Sequence, residues 1–154
     1  MQVSTGGKRN EKDLTDEQFQ EIKKYAVYLG MPEANIFYSS TINTSYGAGL
    51  DVLIIGTDVL PLAVRSDNPN SNISWRGAVA HEIIGHRGVA LKGKKHTNPL
   101  LEEVQASIRA ARFTPDLNLT ERYDLIRDAL NRLRKNGLKL CDVRETLFIY
   151  EVGD

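Results

Sequence analysis

His81-Glu82-Ile83-Ile84-Gly85-His86, preceded by Trp75-Arg76-Gly77-Ala78-Val79-Ala80, is the stretch on which the reading of this 154-residue chain turns. Ser74 has the character of an N-cap for a helix from Trp75 to about Ala90, and Gly88 and Gly93 stand near its end. Within that helix the two histidines occupy positions i and i+5. On a regular α-helix, at about 100° per residue, such side chains diverge by about 140° and cannot share an ion. One π-type turn absorbs the extra residue and returns both rings to one face. If both bind one cation, the helix must widen between them, and Gly85 carries no side chain to crowd that turn.

A second stretch supplies what the first lacks. Leu101-Glu102-Glu103-Val104-Gln105-Ala106-Ser107 lies on a helix predicted from Pro99 to about Arg112 and ended by Pro115, with its two glutamates 16 and 17 residues beyond His86. Two neutral imidazoles and one carboxylate leave Zn²⁺ an open fourth position for water. Consecutive helical residues point about 100° apart, so only one of Glu102 and Glu103 can face the ion squarely. The third histidine, His96, follows Lys94 and Lys95, which repel a cation; a surface or substrate-side role suits it better than ligation.

Outward from these motifs, the chain reads as one α+β domain. Residues 1–13 are polar and are expected to be a flexible tail or linker stub, with a single domain over 14–154. Thr15 and Gln18 have capping-box spacing, Leu14 can staple onto Phe19, and Phe19, Ile22, Ala26 and Leu29 recur at helical intervals before Gly30 and Pro32. Ile36–Ser40 and Leu50–Ile55 read as strands, Asn43–Gly49 as a turn-rich loop, and Thr57–Val64 as a bent edge strand limited by Pro61. Ser66–Asn72 reads as a loop. Thr120 is expected to cap a helix with Tyr123, Ile126, Leu130 and Leu133 on one face and Gly137 as its stop, and Thr146–Val152 to be a last strand. The expected fold is thus three main helices (75–90, 99–112 and the one from Thr120) behind the first helix, with a small, mostly antiparallel sheet.

Composition narrows the function. Lys+Arg and Asp+Glu both number 20, and division after Gly77 gives 7 basic against 9 acidic residues, then 13 against 11. Neither part has the positive excess of a general nucleic-acid binder. The single cysteine, Cys141, excludes a disulfide framework or a thiolate cage. The start, Met1-Gln2-Val3-Ser4-Thr5-Gly6-Gly7, has no apolar core for a signal peptide, and the apolar stretch Leu50–Val64 is broken by Asp51, Gly56, Asp58 and Pro61. A soluble protein is expected, with no membrane partner and any targeting signal upstream in a longer parent chain.

The pair HEIIGH and EEVQAS resembles the HExxGH and EExxA motifs of the dipeptidyl peptidase III family, a branch of the gluzincin metallopeptidases. The resemblance covers about a dozen positions of a chain far smaller than that family's members. It implies His81, His86 and Glu103 as zinc ligands, Glu82 as catalytic acid/base and Glu102 as a supporting residue. Where gluzincins carry an acidic residue four positions after the ligating glutamate, this chain has Ser107, so support for a histidine must be weaker or come from elsewhere. The stretches LDVLIIGTDVLP, AVAHEIIGHR, LEEVQASIRAARF and TERYDLIRDAL also look similar to compact zincin domains of bacterial polymorphic, Rhs-type toxins. That similarity implies an effector module delivered within a larger bacterial protein, and an immunity or inhibitor protein as partner.

The chemistry expected of such a site is hydrolysis of a peptide or protein substrate, with Zn²⁺ activating water and Glu82 shuttling its proton to the leaving amine. A further group must stabilise the oxyanion, and Tyr46, His96, Arg87 and Arg109 are candidates by residue type. Extended substrate is expected to add to an edge strand, for which Leu53–Leu60 is the candidate. The competing reading is a non-catalytic metal-binding or interaction domain. Glu82 counts against it, since a structural site needs no base.

Overall fold

Thr15 opens helix α1 (Asp16–Tyr28): its hydroxyl accepts from the Gln18 amide at 3.0 Å, and the Gln18 side chain accepts from the Thr15 amide at 2.8 Å. The computed structural model describes residues 7–150. Ile22, Tyr25 and Ala26 face inward, and Gly30 takes φ +111°, a left-handed turn that an L-residue would strain to adopt.

Three short strands follow: β1 (Ile36–Tyr38), β2 (Ser45–Gly47) and β3 (Val52–Ile55). Their order is β1-β3-β2, with β1 parallel and β2 antiparallel to the central β3. The α+β class holds, and the sheet is mixed rather than mostly antiparallel. Strand β2 falls inside the stretch the sequence reads as a loop. Its period-2 signal spans three residues, one of them glycine, which is too little to register. The expected edge strand over 57–64 is instead a 3₁₀ turn, Thr57–Val59. Asp58 fixes that turn by accepting from both the amide and the hydroxyl of Thr44, at 2.8 and 2.7 Å.

The helical half begins with the short α2 (Pro69–Asn72), inside the expected loop, where Asn68 caps the Asn70 amide. Next comes one continuous rod: α3 (Trp75–Ala80), a π-helical segment (His81–Arg87) and α4 (Gly88–Leu91). Helix α5 (Pro99–Phe113) packs against the π segment, and α6 (Leu119–Lys135) packs against α5. Asn118, not Thr120, caps α6, in a capping box with Glu121. The buried face of α6 matches the expected one at Ile126 and Leu133 but not at Tyr123 and Leu130. Leu125, Ala129 and Leu133 are buried, whereas Tyr123 and Leu130 are exposed. Asp124, Asp128 and Arg132 are buried on the same helix, so charges occupy part of the inner face and turn Tyr123 outward. A last short helix, α7 (Leu140–Val143), leads to a 3₁₀ turn at Arg144–Thr146.

The expected terminal strand is absent from residues 146–150, and residues 151 and 152 lie outside the described part. Leu147 and Ile149 plug the α5–α6 core, and side chains of α5 take the place of a partner strand. Gln105, Arg109 and Arg112 donate to the carbonyls of Leu147, Phe148 and Ile149 at 2.7, 2.9 and 2.8 Å. Buried carbonyls need partners, and here long polar side chains supply them. Among the described residues no helix is long and apolar enough to cross a membrane.

The stretch read as a tail is anchored from Arg9 onward. The Arg9 guanidinium donates to the carbonyls of Asp58, Val59, Asn70 and Ile73, joining the end of the sheet to α2. Its desolvation lowers its pKa to about 10, with Asp58 and Asp128 opposing the shift. Replacing Arg9 by Met is expected to destabilise the fold by on the order of 2 kcal/mol, because it leaves carbonyls unsatisfied; urea unfolding of the two proteins measures the difference.

Candidate metal centre

The widened turn that the histidine spacing requires is present. The rod is π-helical over His81–Arg87, so residues five apart stack, and the two imidazole centroids lie 4.7 Å apart. Their Nε2 atoms face each other at 3.1 Å. Glu103, from α5, spans both rings, with Oε1 3.0 Å from Nε2 of His81 and Oε2 3.4 Å from Nε2 of His86. A tetrahedral zinc site with metal–donor distances of about 2.0–2.1 Å has donor–donor edges of about 3.3 Å, close to all three separations.

The other ring nitrogens fix the tautomers. Nδ1 of His86 lies 3.2 Å from Glu102 Oε2, and Nδ1 of His81 lies 3.0 Å from Ser107 Oγ. Were each Nδ1–H donated outward from a neutral ring, each Nε2 would present a lone pair to the same point, across from a carboxylate. Such a donor set repels itself without a cation at its centre. The residues therefore fit a divalent ion. Glu102 and Glu103 divide the labour that the sequence leaves between them: one steadies a ring while the other faces the shared point.

Glu82 is 9 % exposed, and it forms with His81 and His86 a group whose potential ligand atoms lie within 4.8 Å of one another. Burial raises its pKa, against the pull of the two histidines. Burial alone would disfavour a charged His86, yet Glu102 and Glu103 drive its pKa up to about 10, and the same two histidines hold Glu103 well below the usual carboxylate range despite its desolvation. All five residues line a cleft of about 500 Å³ whose other lining includes Thr44, Ser45 and Tyr46.

Gly85 has a different task from the one its place in the widened turn suggests. A Cβ there would lie 2.6 Å from the Ala106 carbonyl oxygen and 2.8 Å from Ala106 Cα and Cβ. The missing side chain lets α5 come against the π segment, and that approach carries Glu103 to the histidines. Gly85→Ala forces α5 away: we expect a loss of about 1–3 kcal/mol in urea unfolding and a weaker metal site by equilibrium dialysis.

The oxyanion candidates are scattered. Tyr46 lines the cleft, but its hydroxyl donates to Asp51 Oδ1 at 2.6 Å, and Arg87 holds the same carboxylate at 2.8 Å while also donating to the Gly30 carbonyl. This buckle ties β2 to the rod. Arg109 does not line the cleft; it is buried between Phe113 and Phe148, with centroid distances of 4.9 and 5.1 Å. His96 stands apart as well, 3.3 Å from Thr146 Oγ1. Trp75 packs edge-on against Tyr25, and Val79 is fully buried. The sequence missed Asp128 and Arg132 of α6, which line the cleft. Their signal was a pair of charges at i and i+4 beside Leu125, Ala129 and Leu133, where an apolar stripe is the simpler reading.

Arg87 and the Tyr46 hydroxyl hold Asp51 below its ordinary pKa, and burial with the Asp51 carboxylate raises Tyr46 to about 12. A depressed carboxylate contributes stability above its unfolded pKa and loses it as pH falls through the folded one. Asp51→Asn is therefore expected to flatten the acid limb of the stability–pH curve below about pH 4 and to bring one tyrosine, followed at 295 nm, back towards pH 10.

No family model, curated protein or solved structure matches the chain.

Proposed function

We propose that this chain is a zinc-dependent metallopeptidase that cleaves peptide or protein substrates in the cleft between β2 and the π segment. The observation that carries the proposal is the convergence of His81, His86 and Glu103 within 3.0–3.4 Å of one another, with Glu82 buried beside them. A structural site closes all four positions with protein ligands, whereas three ligands beside a carboxylate in an open cleft match a hydrolytic one.

His81, His86 and Glu103 would hold the ion, with Glu102 and Ser107 orienting the rings. Zinc bound there supplies Lewis acidity, polarising a scissile carbonyl and lowering the pKa of the attacking water. Glu82 accepts that water's proton and passes it to the departing amine. Its burial makes it a stronger base than an exposed glutamate and eases both transfers near neutral pH. Substrate orientation falls to β2 rather than to the expected 53–60 segment, because β3 is central and β2 leaves one edge unpaired. An extended peptide can add to that edge by backbone hydrogen bonds. Tyr46, its hydroxyl committed to Asp51, serves as cleft wall unless that bond opens. Delivery as an effector module and a dedicated inhibitor belong to the same proposal through the toxin resemblance.

His81→Ala, His86→Ala and Glu103→Ala are each expected to strip zinc, and Glu102→Ala to retain it with weaker affinity, as read by elemental analysis. Glu82→Gln is expected to keep zinc while cleavage of a peptide library falls by at least about 10²-fold. Full zinc with no cleavage by wild type would favour the non-catalytic metal-binding reading; no zinc at all would remove both.

A further inference from the structure

We propose that Ser107, Asp128 and Arg132 form a relay that orients the His81 ring and strengthens it as a zinc donor, a charge supplied from α6 rather than from α5. The relay rests on the reading of His81 as a ligand. Its links are continuous: Nδ1 of His81 lies 3.0 Å from Ser107 Oγ, the Ser107 hydroxyl donates its one proton to Asp128 Oδ2 at 3.2 Å and so leaves Oγ to accept from Nδ1–H, and Nε–H of Arg132 donates to the same carboxylate oxygen at 3.0 Å.

Every member is held where it can act. Ser107 and Asp128 are fully buried and Arg132 is 7 % exposed, so little solvent screens the path. A hydroxyl can accept one hydrogen bond and donate another, which lets Ser107 transmit the pull of a carboxylate it does not possess. Arg132, one turn beyond Asp128, pairs with that carboxylate at 3.0 Å, and Arg9 adds a longer-range attraction. The second oxygen, Asp128 Oδ1, is buried with no hydrogen-bond partner among the described residues. In the packing, the carboxylate is the counter-charge of the buried Arg132 guanidinium, 3.0 Å away. The same negative charge lies two hydrogen bonds from the imidazole, where it favours the Nδ1–H tautomer and a more basic Nε2.

The test separates charge from shape. Asp128→Asn keeps the size and the acceptor, Ser107→Ala removes the link, and Ser107→Thr preserves it. Zinc affinity, measured by competition with a chromophoric chelator, is expected to fall by about 10- to 100-fold for Asp128→Asn and for Ser107→Ala, and to stay within about threefold for Ser107→Thr. Both disruptions break one path, so the double variant is expected to lose no more than the worse single. In the zinc-loaded protein the His81 Nδ1–H proton resonance should move upfield in Ser107→Ala and hold its place in Ser107→Thr; this decides the matter should Asp128→Asn not fold. Wild-type affinity in Asp128→Asn, multiplying losses in the double variant, or a resonance unmoved in Ser107→Ala would overturn the relay while leaving the zinc site standing. A wild-type protein that binds no zinc overturns both.

Discussion

The contact between Gly85 and Ala106 is the constraint on which the rest depends. Two helical segments meet backbone to backbone there, closer than any side chain at position 85 would permit. Both residues belong to the motifs that carry the ligands: Gly85 sits just before His86, and Ala106 lies three residues after Glu103 and one before Ser107. The closeness of these two segments therefore sets three separations at once, those of Glu103 from each histidine and of Ser107 from His81. A small residue in each motif is what lets the functional residues around it meet.

Much of this arrangement was legible in the chain. The widened turn followed from arithmetic, because two imidazoles five residues apart cannot otherwise share a face. The capping box at Thr15 and the helix begun at Pro99 were equally plain, since local chemistry alone specifies them. The division of roles between Glu102 and Glu103 was not, because it depends on how α5 is rotated against the rod. Nor was β2, whose three residues pair only because β3 lies alongside. The face of α6 was misread for a physical reason: periodicity assigns apolar residues to the inside, and this helix buries Asp124, Asp128 and Arg132 instead. Two of them, Asp128 and Arg132, line the cleft, where ordinary patterning gives way to chemistry.

The cleft owes its second wall to a different kind of bond. Asp51 has φ +54°, an unusual conformation for a residue with a side chain, and it receives both Arg87 from the rod and Tyr46 from β2. Asp58 makes the corresponding hold at the other end of β2 through Thr44. A three-residue strand is marginal alone. Two aspartates, one near each end, keep it at a fixed distance from the histidines. In the same way Arg9 and the α5 side chains fasten the stretches around Val59, Ile73 and Leu147–Ile149, so the small sheet and these irregular stretches are held by polar clamps rather than by long ladders.

The π segment also sets the angular phase of everything C-terminal to it. One residue more per turn rotates the following chain by about 100° relative to an uninterrupted α-helix. Arg87 meets Asp51, and Gly88 passes near the Arg109 guanidinium, because of that offset. Removing one residue between the histidines and straightening the turn would leave His86 and Arg87 where they are, because the widening absorbs that one residue; straightening the turn without the removal would swing Arg87 away from the sheet and present a different side of α4 to α5. The odd spacing and the widened turn are thus matched to each other, and the two could change only together.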